Sequence, residues 1–430
     1  MTASPFPSID MNSLPRPQGA FELREKVAAQ EPRGQSGRLS YIDVLRGAAA
    51  VQVLLSHVTL AFFPGVFFSS PLSGALLGYL AATPLFFVLD GASAVCIFFT
   101  LSGYVLTPLF MNSKASGAVL IFSRFVRLGA PAVAGCILSV VLFLIFAQYN
   151  QTAGSLLNSQ WLSESWRPAS DLWFVKDALV NGLLLGFRGD SIVQWFGLPA
   201  AALPKMSNSY LAPLWTLSIE FYGSILVLAL SRARSPTLLV MTSIVLSRTY
   251  LVCFLAGHVA ARFRLGEERQ ITPWPAAVAL ATLGVSICMA SHFWTPDPVV
   301  KLCTLAPQIL PPCPTVNPAY LMRIYGAAVF TVAVMQCAPA RRFLNHRKLR
   351  ALGRLSFPLY LTHWPVIFGV GCFLFVVSAP WLGLSSARYL ALVASIGLAV
   401  IVATAFERVD QMALRASRVL RERKNAGGPP

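Results

Sequence analysis

Apolar segments long enough to cross a bilayer alternate with short polar segments along most of the chain. A helix needs about 20 predominantly apolar residues to cross the hydrocarbon core. Eight segments meet or approach this length: Ser40–Phe63, Ala92–Phe110, Gly129–Phe146, Leu211–Leu230, Trp274–Trp294, Ala319–Cys337, Leu355–Val377 and Tyr389–Phe406. With two ambiguous regions added, the pattern predicts an all-α, polytopic membrane bundle of about ten transmembrane helices.

The two ambiguous regions are apolar but interrupted by charge. Leu172–Phe187 contains Lys176 and Asp177 and predicts only a weak fourth span. Ser231–Phe263 is a single apolar stretch that Arg248 interrupts, so the number of helices there stays open.

Composition agrees with the membrane class and excludes a soluble globule. Of the 430 residues, 56% are hydrophobic and only 12% are charged, and the mean hydropathy is +0.64. The net charge of +17 is compatible with nucleic-acid binding, but most basic residues lie in short segments between the apolar runs. The excess of Lys and Arg in cytoplasmic loops explains that distribution better. We therefore expect a lipid bilayer and no nucleic acid as partner.

The most basic segments predict which parts face the cytoplasm. Asn112–Leu128 and Arg341–Arg354 are both rich in Lys and Arg, and the positive-inside bias places them inside. Residues 1–38 predict a flexible cytoplasmic tail, and residues 407–430 a basic cytoplasmic tail. We therefore expect an integral, multi-pass protein of the inner (plasma) membrane with both termini cytoplasmic.

Counting spans from the N-terminus assigns the remaining segments. Gln148–Ser170 falls outside the membrane, and Arg188–Ser209 returns to the cytoplasmic side if Leu172–Phe187 crosses. The same count leaves Arg232 and Arg234 on the outer side, as exceptions to the positive-inside bias.

The first predicted span carries Asp43, Arg46 and His57. Ionisable groups at membrane depth are costly, so they indicate a functional site unless a structural role explains them. Arg46 and His57 are eleven residues apart, which puts them on one helix face, about 16 Å apart along the axis. The alternative interpretation makes Arg46 an interfacial anchor and His57 a hydrogen-bonded packing residue.

Several separated motifs carry a resemblance to one family. They are DVLRGAAAVQVLLSH (Asp43–His57), FFTLSGYVL (Phe98–Leu106), RFVRLGAP (Arg124–Pro131), PLWTLSIEFYGS (Pro213–Ser224) and LGRLSFPLYLTHWPV (Leu352–Val366). In this order the chain resembles the acyltransferase-3 family of integral-membrane O-acyltransferases, with a membrane domain over residues 39–406. The resemblance implies transfer of an acyl group, acetyl first of all, from cytoplasmic acyl-CoA to a hydroxyl of a carbohydrate or glycoconjugate such as a cell-envelope polysaccharide.

His57 and Glu220 are the predicted catalytic residues. Histidine exchanges protons near neutral pH, so His57 can act as the general base on the acceptor hydroxyl. Glu220 can orient the His57 imidazole, stabilise its protonated form or bind acceptor hydroxyls. The alternative for Glu220 is a buried acid bonded to Trp215 or Tyr222.

The predicted contacts to coenzyme A are Arg46, Arg124 and Arg127. Arg124 and Arg127 lie three residues apart at a predicted helix start and can bind phosphates, although, without the resemblance, loop charge at the cytoplasmic face explains them more simply. Asp43 lies one turn before Arg46 and is its predicted charge partner.

Three further residues are predicted to support substrate or structure. Ser102 and Tyr104 can donate hydrogen bonds to a thioester oxygen, or they can simply pack. His363 can line the acceptor path or bond to backbone near Pro365. Because the sequence offers no clear nucleophile, we expect direct transfer rather than an acyl-enzyme.

A second class of protein fits the polar residues as well. A transporter or flippase can use buried Arg, Asp and His as a relay, although no internal repeat is visible. The eight cysteines lack metal-type spacing, so we expect no metal. Cys303 and Cys313 flank a Pro-rich loop, where either a disulfide or two free thiols fit.

Overall fold

The computed structural model describes residues 40–68, 83–169, 173–189, 191–195, 198–266, 272–293, 296–301, 303 and 317–426. Within these ranges the structure is helical, and no β-strand occurs. The predicted N-terminal tail, residues 1–38, and Cys313 lie outside the described residues. The all-α class predicted from the sequence is confirmed.

Thirteen α-helices of five or more residues organise the described chain. They are α1 (Ser40–Phe62), α2 (Gly91–Asn112), α3 (Gly117–Phe146), α4 (Tyr149–Leu156), α5 (Gln160–Glu164), α6 (Trp215–Ala233), α7 (Pro236–Val245), α8 (Leu251–Arg262), α9 (Trp274–Phe293), α10 (Pro318–Gln336), α11 (Ala338–Leu344), α12 (Arg350–Pro365) and α13 (Cys372–Ala426). Two π-helical segments, Lys176–Leu185 and Val366–Gly371, and several short turns connect them. Seven helical stretches of the described chain are long and apolar enough to cross a membrane.

The last of these stretches turns back on itself at Gly383. This residue has a φ of 75°, a left-handed conformation that glycine adopts without the steric cost of a Cβ atom. On either side the chain is antiparallel: Arg354 Nε lies 3.1 Å from Glu407 Oε1, and Gly371 packs against Ser395. The stretch therefore contains two crossings, which brings the crossings among the described helices to eight.

Contacts between distant segments define one end of the bundle. Ser40 Oγ donates to Asn345 Oδ1 over 2.6 Å, and Tyr41 Oη donates to Gly266 O over 3.2 Å. Arg232 Nη2 donates to Ala115 O, in the loop between α2 and α3, over 2.9 Å. We call this the basic end, because it holds the Arg-rich segment 341–354.

The predicted fourth span is wrong. Lys176–Leu185 is a ten-residue π-helical segment, and its Asp177 carboxylate accepts hydrogen bonds from Ser209 Oγ at 2.8 Å and Tyr210 N at 2.9 Å. A buried carboxylate needs such partners, and here the returning chain supplies them. This segment and the returning chain form a hairpin, which keeps residues 188–189 and 198–209 at the end opposite the basic end, where Arg167 N donates to Ser207 O.

This hairpin also corrects the assignment of Arg232 and Arg234. Because α6 starts at the opposite end, it finishes at the basic end, where Arg232 bonds the backbone of Ser113 and Ala115. The two arginines therefore lie with the other basic segments, and the exception to the positive-inside bias disappears.

The region 231–263 forms a pair of short helices, α7 and α8, of ten and twelve residues. Helix α8 crosses α2 at glycines. A Cβ atom on Gly103 would lie 2.8 Å from Phe254 Cα, and one on Gly257 would lie 2.7 Å from Tyr104 N. This close backbone approach is what small residues permit in membrane bundles. Eight crossings and this short pair account for the prediction of about ten helices.

The predicted C-terminal tail continues α13 as far as Ala426. It packs along the first turns of α3, where Ser123 Oγ donates to Ser417 O over 2.9 Å. Residues after Glu407 therefore help to form the basic end of the bundle.

Candidate functional site

Two histidines from different helices form the polar centre of the bundle. His57 Nδ1 of α1 lies 2.9 Å from His363 Nε2 of α12. The two rings lie edge to edge and nearly coplanar, with centroids 5.1 Å apart and planes 6° from parallel. His363 is fully buried, whereas His57 is partly exposed. The sequence singled out both residues, and the structure brings them together.

The hydrogen bonds fix which ring nitrogens carry protons. His363 Nδ1 lies 3.0 Å from Leu359 O, and a carbonyl oxygen can only accept. His363 Nδ1 is therefore the protonated nitrogen, and in the neutral ring Nε2 accepts from His57 Nδ1. When both rings are neutral, His57 Nε2 keeps a free lone pair. His57 is thus oriented to accept a proton at Nε2.

Two tryptophans enclose His57. Trp161 of α5 stacks on it with ring centroids 6.2 Å apart, and Trp364 meets it edge-on at 5.2 Å. Trp161 also lines an open cavity of about 1060 Å³ at the end opposite the basic end, together with Pro64, Asn158, Ser159, Gln160, Glu164, Ser165 and Ser207. We call this the Trp161 cavity.

A second cavity opens at the basic end and has a volume of about 1020 Å³ including its mouth. Four arginines from three helices line it: Arg46, Arg124, Arg127 and Arg421. Its other walls are largely apolar and include Phe98, Leu106 and Leu217. We call this the arginine cavity. The three arginines that the sequence predicted to act together therefore share one cavity.

Arg46 and Asp43 behave differently from the prediction. Within the described chain, no ion pair joins Asp43 to Arg46, and Asp43 is exposed at the start of α1. The predicted charge pairing therefore involves no direct ion pair, although the charge of Arg46 still acts on the Asp43 carboxylate. Arg46 Nε is buried and has no hydrogen-bond partner among the described residues. An unsatisfied buried donor in a cavity wall is available to an anionic ligand.

Glu220 lies in the arginine cavity, where Arg124 Nη2 and Ser102 Oγ each donate to its Oε1 over 2.9 Å. The predicted contact with His57 is wrong, and so is the alternative with Trp215 or Tyr222. A carboxylate buried in a membrane bundle pairs with an available cation, and here that cation comes from α3. Ser102 donates to this carboxylate, whereas Tyr104 is buried beside the crossing with α8.

Arg127 is held by a residue that the sequence did not single out. Its Nη1 donates to Asp410 Oδ1 over 2.6 Å and its Nη2 to Asp410 Oδ2 over 3.3 Å. Its guanidinium carbon also lies 5.1 Å from the centre of the Phe357 ring. Helix α3 begins at Gly117, so Arg124 and Arg127 lie inside the helix rather than at its start.

Tyr360 lies where the arginine cavity approaches the histidine pair. It lines the cavity, and its ring centroid is 6.1 Å from that of His363. Its hydroxyl lies 2.8 Å from Thr216 Oγ1 and 3.0 Å from Pro213 O. The histidine pair therefore has the arginine cavity on one side, beyond Tyr360, and the Trp161 cavity on the other.

The family is decided by comparison with known sequences. A family model described as an acyltransferase domain matches residues 39–408. The chain belongs to the acyltransferase-3 family. The O-acetyltransferase PaAT-1 of Phomopsis amygdali is 25% identical, in a match that covers 77% of this chain and 73% of that protein. No solved structure matches the chain.

The geometry suits a membrane acyltransferase. Such an enzyme needs a donor, an acceptor and a group that takes the acceptor's proton. A neutral imidazole with a free nitrogen between two cavities can take that role. The sequence missed Trp161, Tyr360 and Arg421. Of these, only Tyr360 lies within a motif that carries the family resemblance.

Proposed function

We propose that this protein is a membrane O-acyltransferase that moves an acetyl group from acetyl-CoA, bound at the basic end, to a hydroxyl of a carbohydrate or glycoconjugate. The acceptor enters through the Trp161 cavity. The observation that carries the proposal is the His57–His363 pair between two cavities, with the lone pair of His57 Nε2 free.

The residues of the arginine cavity fit an acyl-CoA donor. Coenzyme A carries several phosphates, and guanidinium groups bind phosphate with paired, charge-assisted hydrogen bonds. Arg124 is paired with Glu220 and Arg127 with Asp410, so Arg46 and Arg421 leave the cavity wall positive. In this proposal Arg46, Arg124, Arg127 and Arg421 hold the phosphates, and Glu220 with Ser102 orients Arg124.

His57 acts on the acceptor. As the hydroxyl oxygen attacks the thioester carbonyl, its proton passes to His57 Nε2, while His363 Nε2 accepts the hydrogen bond from His57 Nδ1 and holds the ring in place. A new C–O bond forms, the C–S bond breaks, and the proton on His57 goes to the leaving sulfur. His57 ends each cycle neutral, so it is ready for another acceptor.

The basic end faces the cytoplasm in this proposal. The Arg-rich segment 341–354 and the corrected position of Arg232 both lie there, in accord with the positive-inside bias. That orientation gives the arginine cavity access to the cellular pool of acyl-CoA. The enzyme then sits in the plasma membrane with Ser40 and Arg421 on the cytoplasmic side.

The experiment that tests the proposal follows radiolabelled acetyl from acetyl-CoA into endogenous acceptors of membranes that contain the protein. We expect His57→Ala to lower the transfer rate by about 100-fold or more, which is the usual contribution of a general base. Equilibrium binding of labelled acetyl-CoA to the purified variant should be unchanged.

The matched control is His346→Ala, an exposed histidine at the basic end that caps a short turn. It should transfer acetyl at the wild-type rate. If His57→Ala transfers as fast as His346→Ala, His57 is not the base. If wild-type membranes show no transfer above membranes without the protein, the proposed activity itself fails.

A further inference from the structure

A second cavity adjoins the Trp161 cavity at the same end of the bundle. It has a volume of about 810 Å³, and its charged lining residues are Glu164, Arg167, Arg188 and Lys205. Glu164 and Ser207 line both cavities, so the two are direct neighbours. We call this the cationic groove. All four charged side chains are exposed.

The arginines of the groove are anchored by backbone carbonyls. Arg167 Nε donates to Ser163 O over 3.1 Å, and Arg188 Nε donates to Ala200 O over 3.1 Å. These bonds fix the guanidinium groups without neutralising them, because a carbonyl carries no net charge. Each arginine keeps further N–H donors for a ligand.

The positive charges of the groove have no acidic partner in the described part of the chain. No ion pair within 4 Å joins Arg167, Arg188 or Lys205 to a carboxylate there. The Glu164 carboxylate accepts a hydrogen bond from Gln160 Nε2 at 3.2 Å. Three cations and one carboxylate leave the lining of the groove with a net charge of +2.

Another arginine at this end of the bundle does have such a partner. Arg323 Nε lies 3.4 Å from Asp90 Oδ2. Membrane proteins carry few basic residues on the side away from the basic loops. Three unneutralised cations together at this end therefore indicate a ligand of opposite charge.

We propose that the acceptor carries an anionic group, a carboxylate or a phosphate, and that the cationic groove binds it while the reacting hydroxyl lies beside Trp161 and His57. This inference rests on the proposed function and adds the chemical class of the acceptor. Arg167 and Arg188 supply forked donors that match a carboxylate or phosphate, and Lys205 supplies a third charge. The Glu164 carboxylate repels ligands whose negative charge exceeds what the three cations neutralise.

The distance between Trp161 and the cationic groove indicates that the anionic group of the acceptor is bound beside the reacting hydroxyl and not at it. Trp161 and Glu164 lie on α5, three residues or about 4.5 Å apart along the axis. Of these two residues, it is Trp161 that stacks on His57. The groove begins at Glu164. The anion is thus held beyond Trp161, where it selects and orients the acceptor without contacting the reacting atoms.

The test measures equilibrium binding to the purified full-length protein in phosphatidylcholine nanodiscs. The probes are radiolabelled methyl β-D-glucuronide, methyl β-D-glucoside 6-phosphate and neutral methyl β-D-glucoside. We expect at least one acidic probe to bind about tenfold or more tightly than the neutral one, and only acidic binding to weaken as NaCl is raised. The triple variant Arg167→Gln, Arg188→Gln, Lys205→Gln should abolish the preference.

The matched control removes three exposed charges at the basic end, as Arg342→Gln, Arg347→Gln, Lys348→Gln, and should keep the preference. Size-exclusion profiles of both triple variants show whether each remains folded. The salt dependence of the wild-type protein is a measurement that needs no variant. Equal binding of the acidic and neutral probes overturns the inference.

Two further arms separate the sources of the anion. Inorganic phosphate and phosphatidylglycerol are each added as competitors of the acidic probes, and neutral methyl β-D-glucoside is the reference competitor. If neither displaces the acidic probes better than this reference does, the groove recognises an anionic group that is part of a sugar. If phosphatidylglycerol binds instead of any acidic sugar, the groove is a lipid-headgroup site and the inference fails. Binding needs no turnover, so these outcomes are independent of the His57 test. Acetyl transfer without a charge preference would refute only the inference.

Discussion

Arg124 donates a hydrogen bond to Glu220 over 2.9 Å in the wall of the arginine cavity, although the two residues are 96 positions apart in the chain. Ser102 donates to the same carboxylate oxygen, and Arg124 Nε donates to Ser224 Oγ over 3.1 Å. The group ties α2, α3 and α6 together. It therefore fixes both the packing of three helices and the charge of the cavity.

Removing either member of this pair should destabilise the protein. Glu220→Gln leaves Arg124 buried without its counter-charge, and breaking such a pair costs about 3–5 kcal/mol. Arg124→Gln strands the Glu220 carboxylate in the same way. The double variant leaves two neutral amides, so its loss should fall short of the sum by about 1–3 kcal/mol. Unfolding in detergent measures all four proteins, and additive losses would contradict the coupling.

His363 should act as a positioning residue for His57. His363→Ala removes the acceptor of the His57 Nδ1 proton, so we expect kcat to fall about tenfold or more with little change in the KM for acetyl-CoA. His363→Gln carries an amide oxygen that can accept the same hydrogen bond. It should recover part of the lost kcat.

The glutamine rescue separates positioning from packing. A purely structural role for His363 predicts that both variants lose folded protein alike, with the rate per folded molecule unchanged. Steady-state kinetics normalised to the monodisperse fraction distinguishes the two. If KM rises while kcat is kept, His363 contributes to binding instead.

Much of the fold was predictable because run length decides whether a helix can cross a bilayer. The prediction of a weak fourth span was wrong because the direction of the chain after Asp177 depends on Ser209 and Tyr210, about 30 residues later. The predicted start of α3 was wrong for a related reason. The charges of Arg124 and Arg127 look like loop charges until their partners Glu220 and Asp410 are known.

The site was predictable at single residues but not in its pairings. Costly polar groups within predicted spans identified Arg46, His57 and Glu220, whereas Arg124 and Arg127 were identified by their spacing at a predicted helix start. Their partners come from distant helices, so the sequence could not show which groups meet. The usual pairing of a catalytic histidine with a carboxylate suggested Glu220 for His57, where the structure has His363. The sequence around Trp161 predicts a polar loop, and nothing in its neighbours indicates that it stacks on His57.

The crossing of α2 and α8 should not tolerate a side chain at Gly257. A Cβ atom there would lie 2.7 Å from Tyr104 N, and backbone cannot move aside cheaply. Gly257→Ala should cost about 1–3 kcal/mol, as overpacking does. The control is Gly397→Ala in α13, where a Cβ atom meets no other atom within 4 Å. It should be neutral or stabilising, since alanine favours helices. Equal unfolding midpoints for the two variants would contradict the close crossing.

Arg421 should contribute to donor binding although it lies beyond residue 408, where the family match ends. It lines the arginine cavity, and its Nε donates to Ser417 O over 3.3 Å, which holds it at the mouth. A contact with a phosphate at the mouth stabilises the bound donor and the transition state equally. Losing this contact therefore weakens donor binding without slowing the chemical step.

Arg421→Gln should therefore raise the KM for acetyl-CoA about three- to tenfold, with kcat unchanged. Arg418→Gln is the matched control, because Arg418 is exposed on the same helix and does not line the cavity. Its KM should equal that of the wild type. An equal rise in both variants would mean that the net charge of the helix attracts the donor and that Arg421 makes no specific contact. A fall in kcat for Arg421→Gln would instead place this residue closer to the reacting thioester than the cavity geometry indicates.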